Sequence, residues 1–96
     1  PVFNSLGLRM AEILRHHEQR KRNIIKAMSD GLKTAYQIAE NILWMPEQGG
    51  VAFHDLASWD RRLAVIETVA HLKLLMVEGK VGEVDMDGVS LYLAKD

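Results

Sequence analysis

The chain has 96 residues, of which 48% are hydrophobic and 26% are charged, and its formal net charge is −1 at pH 7. These values are typical of one ordinary soluble globular domain with a modest core. The sequence contains no cysteine, which excludes a disulfide framework and thiol chemistry and favours a cytoplasmic location. No apolar run approaches the roughly 18 residues that a membrane-spanning helix needs, and no signal peptide is visible, so we expect no membrane partner.

The charges are distributed unevenly along the chain. Residues 1–29 contain six Lys or Arg and two Asp or Glu, a net charge of +4. Residues 30–96 contain six Lys or Arg and eleven Asp or Glu, a net charge of −5. We therefore expect any contact with an anionic partner to lie near the amino-terminal end.

The first predicted element is a long helix over residues 5–29. Residues 15–23 in its middle include no apolar side chain, so this stretch is either solvated or bridges two bodies. We predict two parts on this basis: residues 1–23, a linker with the amino-terminal part of the helix, and residues 24–96, the folded domain. Four apolar residues of the first part are expected to contact another domain or the remainder of this one: Leu6, Met10, Ile13 and Leu14.

Two further helices follow. Thr34 with Gln37 three residues later forms a capping-box pattern that opens the second helix, and this helix is expected to reach Met45, just before Pro46. The third helix is predicted from Ser58 to about Glu78. The centre of its predicted buried face consists of Leu63, Ile66, Ala70, Leu74 and Val77, and the residues that widen this face are Val65, Val69, Leu72 and Met76. The side chains that we expect to face solvent are Asp60, Arg61, Ala64, Glu67, Thr68, His71, Leu75 and Glu78.

A β-hairpin is predicted at the carboxyl-terminal end. Asp87-Gly88 favours the positive-φ turn that a two-residue hairpin needs. In that register Met86 faces Val89 and Val84 faces Leu91, so the apolar residues share one face, which we expect to pack against the helices. Three helices, the first one long, and a two-stranded wing predict a winged-helix fold, mainly α with a small β-hairpin.

A winged helix most often indicates DNA binding through its third helix, but the sequence argues against this function. The predicted solvent face includes Glu67 and Glu78, and the hairpin tip carries Asp85 and Asp87. Since neutralisation of phosphates supplies most non-specific affinity, these surfaces have the wrong sign for DNA. The breadth of the apolar face indicates burial against a partner or a second copy instead.

The polar stretch of the first helix is the remaining candidate contact for RNA or another anionic substrate. Its candidate residues are Arg15, His16, Arg20, Lys21 and Arg22. The alternative, which we favour, is a solubilising helix face with a weak Glu18–Arg22 ion pair.

The sequence contains no pattern that is typical of an active site or a metal centre. His16 and His17 point about 100° apart on a helix and cannot readily share a metal ion. His71 stands between apolar neighbours, which favours a hydrogen-bonded packing residue over a ligand. We expect no catalytic, cofactor-binding or metal-binding residue in this stretch.

Two segments resemble the carboxyl-terminal winged-helix domain attached to metallo-β-lactamase-fold hydrolases: His17-x-x-x-Lys21-x-x-x-Ile25, and Ala70-His71-Leu72-x-x-Leu75-x-x-Glu78-Gly79-Lys80-Val81. The resemblance covers residues 5–85. Pro1-Val2 are similar to the end of the Gly-His-Gly-Pro-Val-like segment that closes the catalytic domain in that family. Glu18 and Arg22 depart from the family pattern, in which the two charges are exchanged.

The resemblance implies a non-catalytic accessory domain of a metallo-β-lactamase-like zinc hydrolase. Such a domain would pack on its own amino-terminal catalytic domain and aid substrate access or oligomerisation, including formation of a homodimer. Zinc and the hydrolytic activity are implied for the catalytic domain of the parent chain only. The alternative function is a winged-helix transcriptional regulator that binds DNA.

Overall fold

The computed structural model describes the backbone of residues 2–28 and 31–95 and the side chains of residues 15–28 and 31–95. Within these ranges the fold is mixed α/β, and none of its helices is long and apolar enough to cross a membrane. The same ranges contain three α-helices: α1 (Val2–Ala27), α2 (Ala35–Glu40) and α3 (Ser58–Val77). They also contain two antiparallel strand pairs: β1 (Leu43–Trp44) with β2 (Val51–Ala52), and β3 (Val81–Met86) with β4 (Val89–Ala94).

α1 confirms the long first helix, although it begins before the predicted start at residue 5. Its last turns enter the core through Ile24, Ala27 and Met28. The predicted contacts of its first half with another domain stay predictions, because the side chains concerned lie outside the described residues: Leu6, Met10, Ile13 and Leu14.

α2 confirms the predicted capping box but is shorter than predicted. The Thr34 hydroxyl accepts a hydrogen bond from the Gln37 backbone N–H at 3.1 Å, and the Gln37 side chain accepts one from the Thr34 N–H at 2.9 Å. Beyond the helix end Trp44 folds back, and its indole N–H donates at 3.0 Å to the Ala39 carbonyl, which also accepts from the Ile42 N–H at 3.2 Å. Met45 then reverses the chain at a φ of 51°, and the unpredicted β1–β2 ribbon forms.

α3 confirms the predicted third helix, but the predicted orientation of its faces is wrong. Its buried side chains are Ala64, Thr68, His71, Leu72 and Leu75, four of which were expected to face solvent. The five residues at the centre of the predicted buried face are exposed instead: Leu63, Ile66, Ala70, Leu74 and Val77. Of the four that widen it, Leu72 is buried and the other three are half-buried.

The physical reason is that apolar residues occur on every side of α3, so their spacing does not select one face. Polar atoms can also enter the core where a partner satisfies them. The Thr68 hydroxyl donates to the Ala64 carbonyl at 2.8 Å, and His71 Nδ1 lies 2.9 Å from the Glu67 carbonyl oxygen.

The β3–β4 hairpin confirms the predicted turn and register, but it packs through the opposite face. Asp87 and Gly88 form the turn at φ values of 57° and 85°. Val81 and Tyr92 are buried on the core side, because the tyrosine ring offers a large apolar area and Tyr92 exchanges two backbone hydrogen bonds with Lys33, at 3.1 and 2.8 Å. The face expected inside is the outer one, and its large exposed side chains are Val84, Met86, Val89 and Leu93.

Candidate functional site

An open groove of about 930 Å³ lies between α1, the β1–β2 ribbon and the first turns of α3. This volume is within the range of small-molecule sites, about 300–1,000 Å³. Three of the five residues predicted to contact an anion line the groove: Arg15, His16 and Arg20. Trp44 lines it from the ribbon, and Glu67 lines it from α3.

Arg20 is held in a fixed position inside the groove. Its Nε lies 3.1 Å from Glu67 Oε1, and its guanidinium carbon lies 4.3 Å from the centroid of the Trp44 ring. Only 12% of the Arg20 side chain is exposed, and its Nη1 is buried without a hydrogen-bond partner among the described residues. The Arg20 guanidinium therefore links α1 to α3 and to the ribbon. Its burial removes it from water at a free-energy cost, which the single ion pair with Glu67 offsets only in part.

Two histidines join α1 to α3 beside this cation. The Glu67 carbonyl can only accept a hydrogen bond, so His71 Nδ1 carries the proton that it shares with this carbonyl. In the neutral form, His71 Nε2 is then an acceptor, and His17 Nδ1 donates to it at 2.9 Å. His71 is 5% exposed and uses both ring nitrogens, so it is a hydrogen-bonded packing residue rather than an available ligand.

The other two predicted anion contacts lie outside the groove. Lys21 Nζ lies 2.6 Å from Glu78 Oε2 and 3.2 Å from Glu18 Oε1. These hydrogen bonds raise the pKa of Lys21, and the bond from Lys21 lowers the pKa of the Glu78 carboxyl. Arg22 donates to the Gln19 side chain at 2.9 Å. The predicted Glu18–Arg22 pair is therefore wrong, because Lys21 takes the Glu18 carboxylate.

The charges that line the groove are close to balance. Arg15 and Arg20 face Glu47, Asp60 and Glu67 along the same lining. Nearby carboxylates lower the positive potential that would attract a phosphate. The groove consequently favours the solubilising and structural interpretation of the basic stretch over guidance of an anionic substrate.

The side chains of residues 15–28 and 31–95 were also compared with the ligand sets of metal centres. They include no group of three or more His, Asp or Glu that is arranged to hold a metal ion. The His17–His71 pair has its facing nitrogens joined by a hydrogen bond, and the Glu67 carboxylate nearby is joined to Arg20.

A second candidate surface is the outward face of α3, which the sequence placed in the core. Five large apolar side chains form one exposed row along it, here called the α3 stripe: Trp59, Leu63, Ile66, Leu74 and Val77. Their exposure is high for apolar side chains, and it reaches 63% at Ile66 and 88% at Val77. Arg62 and Lys73 are the exposed cations beside the stripe. An apolar surface of this extent on a folded domain indicates a contact site.

Sequence reasoning missed the inward role of His17 and Arg20, although a signal was present. Ile24 and Met28 mark the buried side of α1, and one and two helical turns back from Ile24 lead to Arg20 and His17. Polar residues that continue an apolar row are candidates for buried hydrogen-bonded groups. Their partners, Glu67 and His71, lie about 50 residues further along the chain, and spacing does not predict such a pairing.

Comparison with known proteins finds no matching family model, no matching curated protein and no matching solved structure. Two surfaces of the chain itself therefore remain as indications of its function. One is the balanced groove beside Arg20, and the other is the α3 stripe.

Proposed function

We propose that this chain is a winged-helix accessory domain that binds protein, of the kind attached to metallo-β-lactamase-like zinc hydrolases. The observation that carries the proposal is the α3 stripe, which is apolar where a DNA-reading helix needs hydrogen-bonding and cationic side chains. In this proposal, catalysis and zinc binding belong to the amino-terminal catalytic domain of the parent chain. The accessory domain packs on it and aids substrate access or oligomerisation.

The order of elements supports the winged-helix part of the proposal. A long helix, a one-residue bridge, a short helix, the β1–β2 ribbon, a third helix and the hairpin follow each other from α1 to β4. Lys33, between α1 and α2, pairs with Tyr92 and thereby adds a one-residue bridge along the edge of the hairpin. The bridge holds the hairpin against the helical core while one side of α3 stays free, as in winged helices that offer this helix to a partner.

The apolar character of α3, rather than the sign of its charge, is what disfavours DNA. Glu67 and Glu78 were expected to repel phosphates, but they pair with Arg20 and Lys21. The outward face of α3 instead exposes apolar side chains, which neither neutralise phosphates nor hydrogen-bond to base edges. Burying the same face against protein removes apolar surface from water, which is favourable.

The contact with the catalytic domain is assigned in this proposal to the first half of α1. Its support is the helical spacing of apolar residues there and the length of the helix, which begins at Val2. The residues assigned to this contact are Leu6, Met10, Ile13 and Leu14. Guidance of RNA or another anionic substrate by Arg15, His16 and Arg20 is the weaker part, since carboxylates balance the charge of that groove.

A mobility-shift assay with random-sequence DNA duplex at low salt tests the choice between protein and DNA. We expect no shift, and we expect the purified chain to hold no stoichiometric zinc. Binding that weakens steeply as salt rises would overturn the proposal, because such dependence reports neutralised phosphates. Tight binding of one zinc ion per chain would likewise overturn the accessory, non-catalytic role.

A DNA-binding regulator is the second candidate, and Arg62 and Lys73 are the observation in its favour. Both are exposed on the outward face of α3. If duplex binding were observed, the R62Q/K73Q variant should abolish it. Binding that survived this change would point to another surface, such as the basic stretch of α1.

A further inference from the structure

The outward face of α3, which includes the α3 stripe, has the spacing of a helix that packs along another helix. Positions along the outward face follow each other in alternating steps of four and three residues: Trp59, Leu63, Ile66, Ala70, Lys73 and Val77. Such steps repeat every 3.5 residues on average, as in the seam between two helices of a coiled coil. Leu74 widens the seam beside Lys73. The partner surface that best fits this spacing is therefore a second helix.

We propose that this second helix is α3 of another copy of the same chain, so that the protein forms a twofold-symmetric homodimer. The proposal rests on the proposed function, in which the outward face of α3 binds protein, and it names the partner. A twofold axis allows one self-complementary patch to cover itself on both copies. No other element of the chain has to move, because the stripe is already exposed along the whole of α3.

The available area agrees with a dimer of modest affinity. The five side chains expose on the order of 600 Å² of apolar surface per copy, which is at the upper end of the largest patch on an ordinary monomer. Pairing two copies would bury about 1,200 Å² in total, the lower limit of a standard specific interface. The area therefore supports reversible association.

The residues along the stripe favour an antiparallel pairing. When the two helices run in opposite directions about the level of Thr68, Trp59 lies opposite Val77 of the second copy, and Ile66 lies opposite Ala70 of the second copy. In both of these pairs a larger side chain meets a smaller one, as close packing requires. Lys73 lies opposite Leu63 of the second copy, so its aliphatic stem covers the leucine and its ammonium group stays in water.

A parallel pairing in register is less favourable for two reasons. It places Lys73 against Lys73 of the second copy inside the seam, where two like charges repel. It also places Ala70 against Ala70 of the second copy, which leaves a gap between the larger pairs at Ile66 and Val77. We therefore assign the antiparallel arrangement.

Sedimentation equilibrium of the chain, from low micromolar to millimolar concentration, tests the dimer. We expect the mean mass to rise from 10.9 kDa toward twice that value as concentration increases. I66E should weaken association at least tenfold, because it places a carboxylate in the middle of the seam. L43E is the matched control: Leu43 is 64% exposed and Ile66 is 63% exposed, but Leu43 lies on β1, so this change should leave the mass unchanged. Circular dichroism should show that both variants stay folded.

A wild-type chain that stays at 10.9 kDa throughout, or a dimer that I66E leaves intact, would overturn the homodimer. If the chain is a monomer and does not bind DNA, only the homodimer is refuted and the proposed protein-binding function is retained. If the chain binds duplex DNA, the proposed protein-binding function is itself refuted. The two failures are therefore distinguishable.

Single-cysteine variants test the orientation, since the natural sequence has no cysteine. A mixture of I66C and A70C chains should form disulfide-linked pairs faster than A70C chains alone. Faster self-linking of A70C would overturn the antiparallel arrangement.

Discussion

Leu72 and Leu74 lie two residues apart on α3, but they face opposite sides of the helix. Leu72 is 0% exposed in the core, whereas Leu74 is 46% exposed in the α3 stripe. L72A should therefore lower the free energy of unfolding by about 3–5 kcal/mol, the cost of lost burial plus a cavity. L74A should lower it by less than about 1 kcal/mol, because the side chain is half in water and no enclosed cavity forms.

The magnitude for L72A is large compared with the whole stability of a domain, about 5–15 kcal/mol. In a domain of this size, each 1 kcal/mol shifts the melting temperature by about 4–8 °C, so L72A should melt at least about 12 °C below the wild type. Urea unfolding followed by circular dichroism gives both free energies, with protein kept at low micromolar concentration because association would add stability by mass action.

The comparison is matched, because the two variants make the same chemical change in the same helix. If the two variants lost equal free energies of unfolding, or if L74A lost more, the orientation of α3 would be refuted. The α3 stripe, the protein-binding function and the homodimer would then lose their structural basis together.

Two predictions follow from shifted pKa values. The hydrogen bond from Lys21 lowers the pKa of Glu78 below its ordinary 4.5, so the stabilisation is present above that value and is lost as pH falls through the folded-state pKa. E78Q should flatten the loss of stability measured by urea unfolding between about pH 5 and pH 2. Burial raises the pKa of Tyr92 above its ordinary 10.0, so the folded state loses stability as pH rises above that value. Y92F should reduce the alkaline loss seen between about pH 9 and pH 11, and Y36F, at a tyrosine that is 48% exposed, should leave it unchanged.

Local chemistry accounts for what the sequence predicted correctly. The capping box at Thr34 and the Asp87-Gly88 turn are each decided by residues within a few positions, and both occur in the structure. The hairpin register follows from the turn, so the pairing of Met86 with Val89 was predictable as well.

Contacts that apolar periodicity does not encode account for what the sequence did not predict. One is the return of the Trp44 indole to the Ala39 carbonyl beyond the end of α2. The groove beside Arg20 depends on Glu67 and His71, which come from a helix late in the chain. In each case the decisive contact is a polar group that finds its partner in the tertiary structure.

The predicted inner face of the hairpin was wrong for a different reason, which is that side chains were classified only as apolar or polar. Counting apolar residues gave the face with Val84 and Met86 as the inner one, whereas Tyr92 lies on the opposite face of the hairpin. The Tyr92 ring is nevertheless buried at 6% exposure, while Val84 and Met86 are 42% and 52% exposed. An aromatic ring with one polar atom contributes more burial than a valine, so it can decide the face alone.

These corrections change the reason for disfavouring DNA, but they do not reverse the conclusion. The sequence argument depended on Glu67 and Glu78 as repelling charges, and ion pairs to α1 remove both from that role. The same rotation of α3 that turns Glu67 toward Arg20 brings Ile66 and Val77 to the surface. Charge repulsion weakens as salt rises, whereas the attraction between apolar surfaces does not. Self-association through the α3 stripe should therefore persist at high salt. If high salt abolished the association, charged groups elsewhere on the chain would have to mediate it.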